Sequence, residues 1–231
     1  RHAKGAGRFP KGVHEEAQMQ VSHRASFVRV GALALVIAGV FFVAYPAVRP
    51  FSDEAGLEGA RAFASGQWVT AHVMAIFAFT LLALGLAAAR EQMSSSAADG
   101  APTWAMVLGW LGVGLILPFY GAETFGLRVI GREALSQGST GIMNLAAEVR
   151  SGTGLYLFAV GLMLLAAAAV LLAAAIWRSG LRSRWSGLPL ALGLLMYIPQ
   201  YMWEQPLRVA HGALMTIGCI SLAFAIWPRE R

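Results

Sequence analysis

Little of this sequence is charged, and almost none of the charge is lysine. Charged residues make up 13% of the 231 positions, against roughly a quarter in soluble domains, and Lys4 and Lys11 are the only lysines. So little charge cannot cover the surface of a water-soluble fold. Cysteine occurs once, as Cys219 inside the last apolar run. A single cysteine excludes an internal disulfide and a thiolate metal cluster, and its expected role is that of a small core residue. Phosphate-binding glycine loops, nucleophile elbows, dinucleotide fingerprints and HExxH-type zinc motifs are all missing. Serine and threonine are sparse in the apolar runs and stand in no triad-like setting. The short alternating segments of an outer-membrane barrel are missing too.

Apolar residues fill what remains: 57% of the chain, with a mean hydropathy of +0.60. They form recurrent runs of about 20 residues, each long enough to cross a hydrocarbon core of about 30 Å. In lipid every backbone N–H and C=O needs an internal partner, so such runs must be helices. The expected fold is all-α, a polytopic transmembrane bundle of about six helices. The runs place them at about 28–48, 67–89, 103–123, 154–177, 187–203 and 206–227. This leaves 1–27 as a basic, flexible cytoplasmic tail and 28–228 as the membrane domain. The first run is too long, and its tail too extended, for a cleaved signal peptide.

The links between runs set the expected orientation. The tail, the 178–185 loop with Arg178, Arg182 and Arg184, and the end with Arg229 and Arg231 are basic. The 90–102 link, with Arg90 and a Ser/Ala stretch, falls on their side. The 49–66 and 124–153 links mix both signs and fall on the other. By the positive-inside rule both termini are cytoplasmic, which requires an even number of spans. Topology also accounts for the net charge of +6, since the basic residues form no interleaved aromatic face for nucleic acid. The 124–153 link has apolar residues at helical spacing and is expected as short amphipathic helices on the outer surface. Richness in Ala, Leu, Gly and Arg resembles membrane proteins of GC-rich bacteria and points to a bacterial cytoplasmic (inner) membrane.

Two stretches echo each other. Val69-Thr70-Ala71-His72 opens the second helix much as Arg208-Val209-Ala210-His211 opens the sixth. The preceding helices end on Tyr45-Pro46 and Tyr197-Ile198-Pro199. The pattern suggests two related hairpins in parallel orientation.

Polar residues also collect unevenly. The middles of the runs carry no Asp, Glu, Lys, Arg or His, which argues against a midplane ion or proton pathway. The outer ends differ. At 1.5 Å rise per residue, His72, Tyr120, Glu123, Tyr201 and His211 fall within several Å of one depth.

Three readings of that layer follow. Two neutral imidazoles, His72 and His211, are a candidate axial pair for a b-type haem, flanked by Tyr120 and Tyr201. Ala71, Ala75, Gly212 and Ala213 would let the ring approach, and the role would be electron transfer. Alternatively His72, His211 and Glu123 give two nitrogens and one oxygen for zinc or another divalent metal, as in a metal-dependent intramembrane hydrolase. The third reading, with no cofactor as its default, is a non-catalytic accessory or assembly subunit of a membrane complex, or a lipid- or quinone-binding protein. Glu123, Arg128, Glu204 and Arg208 would then be interfacial ion pairs, the histidines polar glue between helices, and Gly109, Gly112, Gly114, Gly187 and Gly193 close-packing sites.

Overall fold

Backbone hydrogen bonding inside a hydrocarbon layer dictates helices, and helices are what the chain forms. The computed structural model describes residues 11–94, 100–179, 181 and 183–228, with side chains from Met19 onward. Among the described residues there is no strand. The α-helices are α1 (Lys11–Val48), α2 (Leu57–Ala64), α3 (Gly66–Met93), α4 (Ala101–Gly121), α5 (Leu127–Gln137), α6 (Asn144–Val149), α7 (Gly152–Ser179), α8 (Leu188–Leu195) and α9 (Gln205–Ile226). Five stretches are long and apolar enough to cross a membrane: Met19–Val48, Gly66–Met93, Ala101–Gln137, Gly152–Ser179 and Gln205–Ile226. The chain is an all-α bundle whose apolar helices mark a multi-pass membrane protein.

The sixth expected span is present as a path but not as one helix. Residues 187–203 form the eight-residue α8, a turn, and a 3₁₀ turn over Pro199–Met202. Pro199 has no N–H to bond the carbonyl of Leu195, the residue at which α8 ends, and beyond it Tyr201 N–H bonds to the Ile198 carbonyl. The path still runs antiparallel to α9. Leu190 packs on Gly218, Gly193 on Met215, and Tyr197 on His211.

Helix α1 begins at Lys11, so much of the segment expected as a tail continues the first span; residues 1–10 lie outside the described ones. Arg24 holds the extension down, bonding the Glu91 carbonyl at 2.5 Å and the Glu91 carboxylate at 3.3 Å. That contact also sets the entry of α1 beside the exit of α3.

Helix α3 is the axis of the bundle. Ser65 caps it by accepting a bond from Trp68 N–H at 3.1 Å. Its buried residues Ala71, Ala75, Ala78, Phe79, Leu82 and Leu86 recur every three or four positions, the spacing of a helix packed along a seam. Helix α1 lies along α3 and α9, and α4 lies along α7. Small residues let the backbones approach. Gly112 and Gly161 face each other across α4 and α7, and a Cβ on either would meet the other's carbonyl oxygen at 2.7 Å. Gly109, Gly187 and Gly193 are equally tight, whereas Gly114 faces open space. Val30, Leu33, Ile37 and Val40 point outward along α1, the face such a helix offers to lipid.

At one end of the bundle the 122–150 region folds back. Helix α4 ends in a π turn, Ala122–Gly126, that leads directly into α5. Gly138 closes α5 in the left-handed region, φ 61°, where glycine pays no Cβ penalty. Helices α2, α5 and α6 then enclose a second apolar cluster of Phe63, Trp68, Leu127, Ala134, Met143 and Ala146. The 124–153 link is therefore a packed cap on the start of α3.

Candidate functional site

The capped end contains a cavity of about 730 Å³. All five long helices reach it: Tyr45 from α1, with Arg49 directly after its end, His72 from α3, Phe119 and Tyr120 from α4, Leu155, Phe158 and Leu162 from α7, and Arg208 from α9. The link after α1 adds Phe51 and Glu54. Glu123 comes from the π turn, Arg150 from the end of α6, and Ile198, Tyr201 and Met202 from the broken segment.

The polar wall is one connected network. Trp68 starts it: its indole N–H donates to the Glu123 carbonyl at 2.7 Å. A π turn widens the helix and re-aims side chains, and such turns are frequent at functional sites; here Glu123 and Thr124 are buried in it. Glu123 receives Arg150 through both oxygens, Nε to Oε1 at 2.5 Å and Nη2 to Oε2 at 2.9 Å. Arg150 also bonds Glu54, and Glu54 accepts from Arg49 at 2.6 Å. Burial works against the charge on Arg150, but Glu123 and Glu54 outweigh it and raise its pKa above the ordinary arginine value.

His72 enters the same network. Its Nδ1 lies 2.7 Å from the Trp68 carbonyl; a carbonyl only accepts, so Nδ1 carries the hydrogen. Its Nε2 lies 3.5 Å from Glu123 Oε2, and a hydrogen there makes the contact an ion pair. A tyrosine cluster forms the floor. The Tyr120 hydroxyl is 3.4 Å from that of Tyr197 and 3.3 Å from that of Tyr201. The remaining walls are apolar, with Phe119 stacked on Phe158 at 4.4 Å. Compared with family models, with curated proteins and with solved structures, the chain matches none.

Of the five residues expected to share one layer, His72, Tyr120, Glu123 and Tyr201 line the cavity. His211 is at the same end but lies behind Tyr197, their ring centres 5.1 Å apart. Its Nε2 donates to the Gly193 carbonyl at 2.7 Å. The two imidazoles therefore face different surroundings. Gly212, expected to clear room for a porphyrin, lies against α1, where a Cβ would meet the Phe42 carbonyl oxygen at 2.5 Å. No group of three His, Cys, Asp or Glu side chains converges in a metal-holding arrangement among the described residues.

The ion pairs differ from those expected. Glu123 joins Arg150 rather than Arg128, and Arg208 bonds the backbone carbonyls of Trp203 and Tyr201, at 2.8 and 2.7 Å. Sequence reasoning missed Arg49, Glu54 and Arg150 because each sits in a mixed-charge link, where solvated residues are the ordinary case. The one available signal was Arg49 directly following a span.

The hairpin echo has a structural counterpart. Tyr45 stands edge-on to His72, ring centres 5.4 Å apart at 74°, and Tyr197 stands edge-on to His211 at 5.1 Å and 81°.

Proposed function

We propose that this chain binds an amphipathic small molecule, of the lipid or quinone kind, in the cavity at the capped end. One observation carries the reading. The cavity gathers its charged groups, Arg49, Glu54, His72, Glu123, Arg150 and Arg208, with aromatic and aliphatic walls beside them. Ligand sites are typically apolar clefts of about 300–1,000 Å³ with a few convergent polar groups, and this volume fits. Leu155, Ile198 and Met202 line the cavity and are exposed, so it opens toward the flank of the bundle, where a tail can reach the bilayer.

The reading sets the chain in a bacterial cytoplasmic membrane with the cavity on the outer side. Charge placement in the sequence supports it: six of the 18 lysines and arginines lie in the 49–66 and 124–153 links or at the start of the last run, on the cavity side, and twelve elsewhere, the excess that the positive-inside rule describes. The function is that of a binding or accessory subunit.

The test uses Ala159, a small residue of α7 that lines the cavity away from its charged wall. Protein purified in mild detergent should carry a co-purifying lipid or quinone by mass spectrometry. Ala159→Phe should lose it while keeping its unfolding temperature. Equal retention by the variant would place the ligand elsewhere and sink the reading.

A further inference from the structure

The charges lining the cavity do not cancel. Arg49, Arg150 and Arg208 face Glu54 and Glu123, which leaves one positive charge uncompensated, and a second when His72 is protonated. The surplus can be assigned to a residue. Arg150 and Arg49 are paired with the two carboxylates, whereas Arg208 makes no ion pair among the described residues and bonds only carbonyls. Arg49 has its own deficit. Its side chain is 9% exposed, and its Nε is buried with no hydrogen-bond partner among the described residues. A buried donor without an acceptor is costly, so the charge of Arg49 is under-satisfied beside the cavity that this residue lines.

The two guanidinium groups flank one ring. Arg49 Cζ lies 4.7 Å and Arg208 Cζ 5.2 Å from the centre of Phe51, so they are no farther apart than the sum of those distances. Among the described residues Arg208 gives its Nε and Nη2 to backbone carbonyls and neither to a carboxylate, which leaves its charge to a ligand. Two guanidinium groups around one pocket suit an acceptor with several oxygens and negative charge. A neutral quinone head would leave the charge uncompensated.

From this geometry we infer that the cavity recognises a phosphate group, carried on a lipid, through Arg49 and Arg208. The inference rests on the cavity being the binding site. The apolar walls take the chains, and the exposed rim at Leu155 and Met202 lets them pass into the bilayer.

The experiment compares three probes on the full chain in a neutral detergent: dioleoyl phosphatidate, dioleoylglycerol with the same chains and no phosphate, and inorganic phosphate. Phosphatidate should bind at least tenfold more tightly than dioleoylglycerol. Arg208→Gln should remove most of that preference, read as the ratio of the phosphatidate and dioleoylglycerol affinities. Arg208→Lys, which keeps the charge and loses the fork, should recover part of it. Arg208 has no carboxylate partner to strand, so the variant is expected to fold; its unfolding temperature is the check. Equal binding of phosphatidate and dioleoylglycerol, blocked by Ala159→Phe, would overturn the phosphate inference and keep the cavity reading. Inorganic phosphate binding as tightly as phosphatidate would uphold recognition by the arginines and overturn the role of the lipid chains. No binding of any probe would overturn the phosphate inference, whereas the cavity reading stands or falls with the co-purifying lipid or quinone.

Discussion

Arg150 grips Glu123 with a two-pronged contact, Nε to Oε1 and Nη2 to Oε2, and this joins the far end of the cap to the turn that ends α4. The same guanidinium reaches Glu54 in the link after α1. Three segments distant in sequence thus meet on one cation, and that cation forms part of the cavity wall. Arg150→Met should strand Glu123, which is 11% exposed. Removing one partner of a buried pair costs about 3–5 kcal/mol, to be read as a fall in unfolding temperature in detergent. The double variant Arg150→Met/Glu123→Gln should recover part of the loss. A single variant as stable as the parent would mean the pair is solvated.

Helix contact through α9 gives a sharper contrast. Gly212→Val places a branched side chain where even a Cβ meets the Phe42 carbonyl oxygen at 2.5 Å and Val43 Cα at 2.8 Å. Overpacking of this kind costs about 1–3 kcal/mol or more. Gly114→Ala meets nothing within 4 Å, and alanine suits a helix better than glycine by roughly 0.5–1 kcal/mol. The first should destabilise the bundle and the second should not; equal effects would refute the packing described for α1 and α9.

His211 is expected to act through packing. His211→Ala should cost about 2–3 kcal/mol, through the lost bond to Gly193 and the space left beside Tyr197, with ligand binding unchanged. Absorption spectroscopy with added haem checks the alternative. A Soret band lost in both His72→Ala and His211→Ala would mean that His211 gives up the Gly193 carbonyl to hold iron.

At the other end of the bundle, Arg24→Ala should loosen the helical extension that begins at Lys11. Arg24 and Glu91 are partly exposed, at 36% and 29%, so the global cost should stay below about 1 kcal/mol. Hydrogen exchange should instead rise over residues 11–24 and over the end of α3. Unchanged exchange in both segments would show that the contact does not hold them together.

Much of the fold was legible because lipid leaves the backbone so few choices. Apolar runs of spanning length must be helical: three of the six expected ranges lie within single long helices, α1, α3 and α7, and a fourth, 206–227, runs one residue past the end of α9. A fifth, 103–123, runs through α4 into the π turn. The last, 187–203, is not one helix: α8 ends at Leu195, the residue whose carbonyl a Pro199 N–H would have bonded. The layer of His72, Tyr120, Glu123 and Tyr201 could be read from rise per residue alone, since depth along a helix depends only on residue number.

Rotation about each helix axis, by contrast, depends on what its neighbours need. His72 and His211 occupy matching places in matching hairpins, yet one lines the cavity and the other turns to a backbone carbonyl. The side chains that complete the charged wall, Arg49, Glu54 and Arg150, lie in links, where no periodicity fixes direction. Composition and hydropathy determined that this chain is a helical membrane bundle with a polar end. Which of those polar groups face one another was decided by tertiary packing, because a buried charge settles only where a partner from another segment can reach it.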